Sequence, residues 1–167
     1  MAETLYPLEQ LLEVKQDRVN KAEKVVQEKQ RALEAEREKL AKLEKERDLT
    51  LHHHDDKLTQ LRQALDQGST SAKILQMKAY LKVVKEKLTK EEAKVKKQQE
   101  QVALAEKNLE SAKLELQRKR VELEKIKMHK EEWEKEAARE MIKEETKETD
   151  EVGSLMHQAE KRKKKRG

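Results

Sequence analysis

Residues 74–126 read ILQMKAYLKVVKEKLTKEEAKVKKQQEQVALAEKNLESAKLELQRKRVELEKI, and this stretch decides the fold. An apolar residue stands at every seventh position along it. The position three residues further on is apolar in some repeats and polar in others, as at Glu91 and Gln98. A sustained 3–4 repeat of this kind keeps one side of a long helix against a partner helix. We call the row the seam; here it comprises Ile74, Leu81, Leu88, Val95, Val102, Leu109, Leu116 and Leu123.

The first half of the chain has a seven-residue repeat of its own, formed by Leu12, Val19, Val26, Leu33 and Leu40. After Leu43 the pattern fits only if four residues are inserted near Arg47. Such an insertion is a stutter, which predicts that the supercoil unwinds locally. The residues of the shifted pattern are Arg47, Leu51, His54, Leu58, Leu61 and Leu65.

A short polar segment, Asp66-Gln67-Gly68-Ser69-Thr70-Ser71, separates the two repeats. Glycine can adopt the left-handed conformation that ends a helix, and serine or threonine can cap the next one. A break this short makes the two helices antiparallel. The predicted fold is therefore all-α, a long antiparallel two-helix coiled-coil hairpin with a short polar turn near residues 67–71. The alternative is one continuous helix that dimerises in parallel through this interruption.

The same patterns set the predicted boundaries. Helix one covers about 7–66 and helix two about 71–148, within a single elongated coiled-coil hairpin over residues 1–152. Gly153-Ser154 is expected to end the second helix, and residues 153–167 are expected to form a basic, disordered tail.

The composition excludes several classes of protein. Charged residues make up 45% of the chain and aromatic residues 2%, too little bulky apolar material for a thick core. The absence of cysteine excludes disulfides, thiolate metal sites and a thiol nucleophile. The apolar runs are too short to span a membrane, and no secretory signal is visible at the N-terminus. We expect no direct membrane insertion.

Charge is segregated along the second half of the chain. Residues 131–151 hold ten acidic and four basic residues, while residues 161–166 supply six positive charges to a chain of net charge +5. The basic tail can contact phosphates, but it lacks aromatic residues for base stacking. A nucleic-acid-binding coiled coil that acts through this tail is therefore an alternative and not the main hypothesis.

No pattern indicates catalysis or a bound cofactor. The three glycines are scattered, so no phosphate-binding loop is present. Carboxylates on two thin helices face solvent and not a cleft that would shift their pKa values. Three consecutive histidines, His52-His53-His54, point about 100° apart on a helix and cannot all bind one ion. We expect no enzyme activity, no cofactor and no metal site.

Apolar residues that the seam does not explain follow the turn. They are Leu75, Ala79, Tyr80 and Val83, which we call the turn patch. The seam is already filled here by Ile74, Met77, Leu81 and Val84, so the patch predicts an exposed partner-binding surface. The alternatives are a wider local core that closes on Leu49, Leu58 and Leu61, or packing between two copies of the chain.

Two aromatic residues are expected at the open end of the hairpin, where both chain termini lie. Trp133, the only tryptophan, falls beside Tyr6 and Pro7 when the chain folds at the turn. Isolated tryptophans often anchor partners, so Tyr6 and Trp133 are candidate contact residues. The simpler interpretation is that Trp133 covers the start of the first helix.

Three segments resemble the YscO/FliJ stalk proteins of type III secretion, and in particular the chlamydial, CdsO-like members. The segments are YPLEQLLEVKQDRVNKAEKVV at residues 6–26, MKAYLKVV at 77–84 and HKEEWEKEA at 129–137. The resemblance runs along nearly the whole chain.

The resemblance implies a function, since such proteins are similar to the antiparallel coiled coil of the rotary ATPase γ subunit. It implies a non-enzymatic central stalk that couples the secretion ATPase hexamer to the cytoplasmic ring of the export gate. Secretion chaperones or the needle-length regulator are further implied partners. The implied location is the bacterial cytoplasm, peripheral to the inner-membrane secretion apparatus. The main competing hypothesis is a generic homodimeric coiled-coil scaffold.

Overall fold

The computed structural model describes residues 5–166, which form two long helices and, within that range, no strand. Helix α1 spans Glu9–Asp66 and helix α2 spans Ser71–Arg166. Contacts between the helices pair early residues of α1 with late residues of α2, so the two run antiparallel. The predicted all-α helical hairpin is confirmed.

The turn between the helices closes by a backbone motif that needs glycine. Gly68 has a φ of +76°, the only positive φ among the described residues. The Ser69 N–H donates to the Ala64 carbonyl at 3.1 Å, and the Gly68 N–H donates to the Leu65 carbonyl at 3.3 Å. These two bonds form a Schellman motif, which satisfies carbonyls that the end of α1 leaves free. Because the motif fixes the direction of the chain, α2 begins only five residues after α1 ends, at Ser71.

The helices contribute to two compact units, which are described separately. One unit joins the segment that ends at Lys21 to the segment that begins at Gln117, and the other comprises Ala22–Leu116. In the second unit, Leu33 is 2% exposed and packs with Val102 and Leu109. In the first unit, the buried apolar side chains are Tyr6, Val19 and Leu123.

The predicted seam residues of α1 from Leu12 to Leu40 and of α2 from Ile74 to Leu123 are all buried or half-buried. Some positions three residues after a seam residue are polar, and Gln98 is one of them. Gln98 donates hydrogen bonds to the backbone carbonyl of Glu36, at 3.0 Å, and to its carboxylate. A narrow seam therefore tolerates polar residues where a cross-helix acceptor lies within reach.

The predicted stutter near Arg47 is wrong. The seven-residue spacing of α1 continues through Arg47, His54 and Leu61, all of which are at least half-buried. Leu51 and Leu65, which the shifted pattern placed in the seam, are 40% and 52% exposed. A two-helix seam leaves the edge of each position open to water, so an arginine stem or an imidazole ring can occupy it with its polar tip in solvent.

The predicted end of helix two at about 148, and the disordered tail over 153–167, also need correction. Helix α2 continues through Gly153 to Arg166, and only Gly167 at this terminus lies outside the described residues. A helical glycine costs about 1 kcal/mol relative to alanine, which the surrounding Glu, Lys, Met and Ala residues outweigh. The basic residues Lys163–Arg166 also lie at the negative end of the helix macrodipole.

Neither helix, within the described range, has a segment apolar enough over a sufficient length to cross a membrane.

Candidate functional site

The turn patch lies on the surface of the second unit. Leu75 is 67% exposed, Val83 is 60% exposed and Tyr80 is 47% exposed, and Ala79 is exposed as well. Leu49, which was expected to cover them in a wider core, is itself 64% exposed. Leu75, Ala79 and Val83 are therefore not enclosed in a wider core as that alternative requires, and only Tyr80 is partly covered by α1.

Tyr80 is held by side chains from α1. Its hydroxyl forms a 2.9 Å hydrogen bond with Nε2 of His53, and the two rings meet edge to face with centroids 5.9 Å apart. The Lys57 ammonium lies 5.5 Å from the centre of the Tyr80 ring, within the range of a cation–π interaction. The sequence pattern pointed to Tyr80, but it did not indicate Lys57 or pair His53 with Tyr80. These contacts restrict the orientation of a ring that still exposes nearly half of its surface.

A groove of about 430 Å³ runs beside Tyr80 between the two helices. Its walls carry two ammonium groups and two side-chain amides around an apolar floor. The lining residues are Lys57, Gln60, Lys73, Gln76, Met77 and Tyr80. Such a groove offers hydrogen-bond donors and positive charge to an incoming side chain.

The three consecutive histidines have three different partners. His52 lies 3.5 Å from Asp56 and His54 lies 3.5 Å from Asp55, while His53 contacts Tyr80. Among residues 5–166, no group of histidine, cysteine, aspartate and glutamate side chains has the arrangement of a metal site.

The open-end residues Tyr6 and Trp133 pack on each other in the first unit. Tyr6 is 5% exposed, its hydroxyl is hydrogen-bonded to Nδ1 of His129, and its ring lies edge-on to Trp133. Lys130 and Glu9 form an adjacent ion pair at 2.8 Å. The hydrogen bond to Glu9 raises the pKa of Lys130 above its usual value, because the carboxylate stabilises the charged amine. The structure thus places Tyr6 in the interior and leaves Trp133 half-buried over it.

A second cross-helix ion pair lies nearby in the same unit. The Lys15 ammonium donates to Oε2 of Glu122 at 3.0 Å. This hydrogen bond and the charge of Lys15 lower the pKa of Glu122 below its usual value, because both favour the carboxylate.

The last part of α2, residues 141–166, is exposed throughout. Every residue over 141–166 is exposed, and the apolar ones among them are Met141, Ile142, Val152, Leu155, Met156 and Ala159. The predicted helix two, to about 148, covers the first residues of this segment, and the structure extends the helix to Arg166.

The sequence matches the family model described as YscO-like protein over residues 3–163. The chain belongs to the YscO-like family. The resemblance drawn from the three sequence segments is therefore confirmed, and this YscO-like chain is a type III secretion protein.

Two solved structures are similar to the YscO-like chain. The YscO homolog CT670 of Chlamydia trachomatis is 53% identical, with 96% of this chain and 99% of that chain covered and a TM-score of 0.89. A chain in the structure of the CdsV and CdsO protein complex of Chlamydia pneumoniae is 51% identical, with 50% of this chain and 98% of that chain covered and a TM-score of 0.49. None of the curated proteins matches.

Proposed function

We propose that this YscO-like protein is a non-enzymatic coupling component of the type III secretion apparatus, with the turn patch as its binding surface for the export gate. The observation that carries the proposal is the exposure of Leu75, Tyr80 and Val83 on a helix whose seam is already filled. Apolar side chains on the outer face of a coiled coil add nothing to its own packing and are typical of contact sites.

The gate component CdsV is the partner we propose to test. CdsO is found in a complex with CdsV, an export-gate component, and the family is shared with the present chain. The held ring of Tyr80 supports the choice of surface, because a side chain already fixed in one orientation loses little entropy when a partner binds.

For the second partner, the secretion ATPase hexamer, we propose the α2 segment beyond Trp133 as the contact region. This segment is helical as far as Arg166, and residues 141–166 of it are exposed, so a ring-shaped partner can surround it. An asymmetric helix inside a symmetric hexamer contacts each subunit differently and thereby favours different subunit states in turn. The same proposal places the protein in the cytoplasm beside the apparatus. Secretion chaperones and the needle-length regulator are proposed as further partners of exposed surfaces.

The gate-binding proposal is tested with the double variant Tyr80→Ala/Val83→Ala. We expect calorimetry against the cytoplasmic domain of the CdsV counterpart to show affinity weakened by at least about tenfold. The reason is that the variant truncates two side chains that the proposed interface would bury. Circular dichroism should show unchanged helicity.

The matched control is Leu104→Ala/Leu114→Ala, which truncates two equally exposed apolar residues of α2 outside the patch. Its affinity should equal that of the unmodified protein. Undiminished binding by the Tyr80/Val83 variant would remove the turn patch from the proposed interface.

The ATPase half of the proposal is tested by the hydrolysis rate of the cognate secretion ATPase with and without this protein. Stimulation, or promoted hexamer formation, at substoichiometric amounts is the expected result. Elution of the protein as a dimer, together with no effect on the ATPase, would favour the homodimeric scaffold.

A further inference from the structure

The first turns of α2 are strongly basic. Residues 71–90 contain six lysines and one glutamate. All six lysines are exposed: Lys73, Lys78, Lys82, Lys85, Lys87 and Lys90. This positive charge therefore lies in the same helical segment as the turn patch.

Most of these charges are not neutralised by the protein itself. Lys87 lies 3.9 Å from Glu91. Within residues 5–166, Lys73, Lys78, Lys82 and Lys85 take part in no ion pair. Four unpaired ammonium groups on one short helical segment repel one another, and an approaching negative surface would relieve that repulsion.

The lysines flank the apolar residues on both sides. Successive residues of a helix turn by about 100°, which places Ala72, Leu75, Ala79 and Val83 in one stripe opposite the seam. On the same projection Lys78, Lys82 and Lys85 lie along one edge of the stripe. Lys73 and Lys87 lie along the other edge, on the same side of the helix as Tyr80, and Lys73 lines the groove.

We propose that this lysine-flanked stripe docks an acidic amphipathic helix of a partner protein. The partner's apolar ridge packs along the stripe, and its carboxylates reach the lysines on the two edges. The inference rests on the proposed role of the turn patch and adds the chemistry of the partner: the gate segment that contacts the patch should be helical and acidic.

The shape of the stripe favours a helix. Its members recur at three- and four-residue spacing, which forms a ridge of the kind that fits the groove of another helix. Ala72 and Ala79 alternate with Leu75 and Val83, and small side chains allow two helix backbones to approach closely. The stripe is about 17 Å long at 1.5 Å per residue, the length of roughly three helical turns.

A lipid surface and a nucleic acid fit this face less well. Interfacial helices insert bulky residues such as Trp, Phe and Leu, whereas half of the stripe is alanine. The hydroxyl of the aromatic residue beside it, Tyr80, is already bonded to His53. A phosphate backbone would gain from the lysines but would leave the apolar stripe in contact with charged groups.

The groove beside Tyr80 gives one edge of the interface a receptor for a single carboxylate. Lys57 and Gln60 of α1 and Lys73 and Gln76 of α2 all line it. A partner glutamate that enters the groove would accept hydrogen bonds from both helices.

The test compares Lys78→Gln/Lys82→Gln/Lys85→Gln with Lys94→Gln/Lys96→Gln/Lys97→Gln. Both variants remove three exposed lysines of α2, but only the first set flanks the stripe. The first two probes are the cytoplasmic domain of the CdsV counterpart and a designed acidic amphipathic helix of about three heptads. The other two are a lysine twin, which is the same designed helix with each glutamate replaced by lysine, and vesicles of phosphatidylserine.

We expect the acidic helix to bind the full-length protein and the lysine twin not to bind. The 78/82/85 variant should lose about tenfold in affinity for both the acidic helix and the CdsV counterpart, the sum of three exposed charge contacts. The 94/96/97 variant should bind like the unmodified protein. Added salt should weaken binding of the unmodified protein more than binding of the 78/82/85 variant.

The outcomes separate the two proposals. Binding of the CdsV counterpart that depends on Tyr80 and Val83 but not on the three lysines would overturn the present inference and leave the proposed function standing. Binding of the acidic helix alone, with no affinity for the CdsV counterpart, would support the inference and overturn the gate role. Preference for the vesicles would overturn the present inference in favour of a membrane surface. Self-association that the 78/82/85 variant abolishes would overturn it in favour of a second copy of the chain.

Discussion

The ring of Trp133 lies edge-on to the ring of Tyr6, with centroids 5.5 Å apart and 63° between the ring planes. Tyr6 precedes α1 in the chain, and its side chain is buried because Trp133 and His129 of α2 enclose it. This contact fixes the segment that leads into α1 against α2.

Tyr6→Ala should therefore loosen the start of α1. Truncation of a buried aromatic residue costs about 3 kcal/mol, and here the loss should appear as faster hydrogen exchange in the first turns of α1. Trp133 fluorescence reports on the same event, since its emission shifts to longer wavelength when the ring gains water. Tyr80→Ala, which removes a half-exposed tyrosine of the other unit, should leave that emission unchanged. An unaltered spectrum in Tyr6→Ala would contradict the contact.

The Lys15–Glu122 ion pair predicts a pH dependence of stability. The hydrogen bond and charge of Lys15 lower the pKa of Glu122 in the folded protein, so its contribution is fully present above the usual pKa of a glutamate, which it has in the unfolded chain. It is lost as the pH falls through the lower folded-state value. The free energy of unfolding should thus exceed that of Glu122→Gln at neutral pH, and the difference should disappear in acid. Urea titrations at a series of pH values measure it, and a difference that grows towards acid would refute the assignment.

The two described glycines should respond in opposite ways to alanine. Neither substitution meets any atom within 4 Å, so only backbone conformation decides the result. Gly68→Ala forces a left-handed conformation on alanine and should lower the free energy of unfolding by about 1 kcal/mol. Gly153→Ala should raise helix content by relieving a penalty of about 1 kcal/mol. Thermal melts followed by circular dichroism test both, and a stabilised Gly68→Ala protein would contradict the turn geometry.

Glu91 predicts a stabilising substitution within the seam. Its side chain is 13% exposed, and its Oε2 atom has no hydrogen-bond partner in the described chain. A buried acceptor without a partner costs about 1 kcal/mol or more, so Glu91→Leu should raise the free energy of unfolding by about that amount. The neighbouring exposed residue supplies the control, since Glu92→Leu should change stability by less than about 0.5 kcal/mol. Denaturant unfolding provides the measurement, and a loss of stability in Glu91→Leu would show that the carboxylate is needed.

The hairpin could be predicted because its determinants are local. Gly68 supplies the only conformation that the Schellman turn requires, and the leucines and valines of each helix recur at a fixed spacing. The register of α1 beyond Leu43 was harder to predict. Apolar residues alone pointed to Leu51 and Leu65, whereas the buried position is Thr50, whose small side chain fits a seam without being strongly apolar.

Only the α2 residues of the candidate site could be predicted from the sequence. The turn patch was found because Leu75, Tyr80 and Val83 exceed what the seam of α2 needs. The contacts of His53 and Lys57 with Tyr80 were missed because the pattern of one helix does not reveal which residue of the other helix lies opposite. The turn does supply an approximate signal, since Tyr80 lies 12 residues after Gly68 and His53 lies 15 residues before it, within one helical turn of equal spacing. The length of α2 was underestimated because one glycine was given more weight than the helix formers around it.

The exposed course of α2 from Met141 to Arg166 has a consequence for binding kinetics. A helical segment without packing partners lacks the tertiary contacts that supply most helical stability, so its end should unwind and rewind on the submicrosecond scale. A partner that encloses it would meet a segment already close to its bound conformation and would not wait for slow folding. Association should therefore be limited by diffusion and orientation, while the lifetime of the complex is set by how completely the partner covers the apolar residues of this segment.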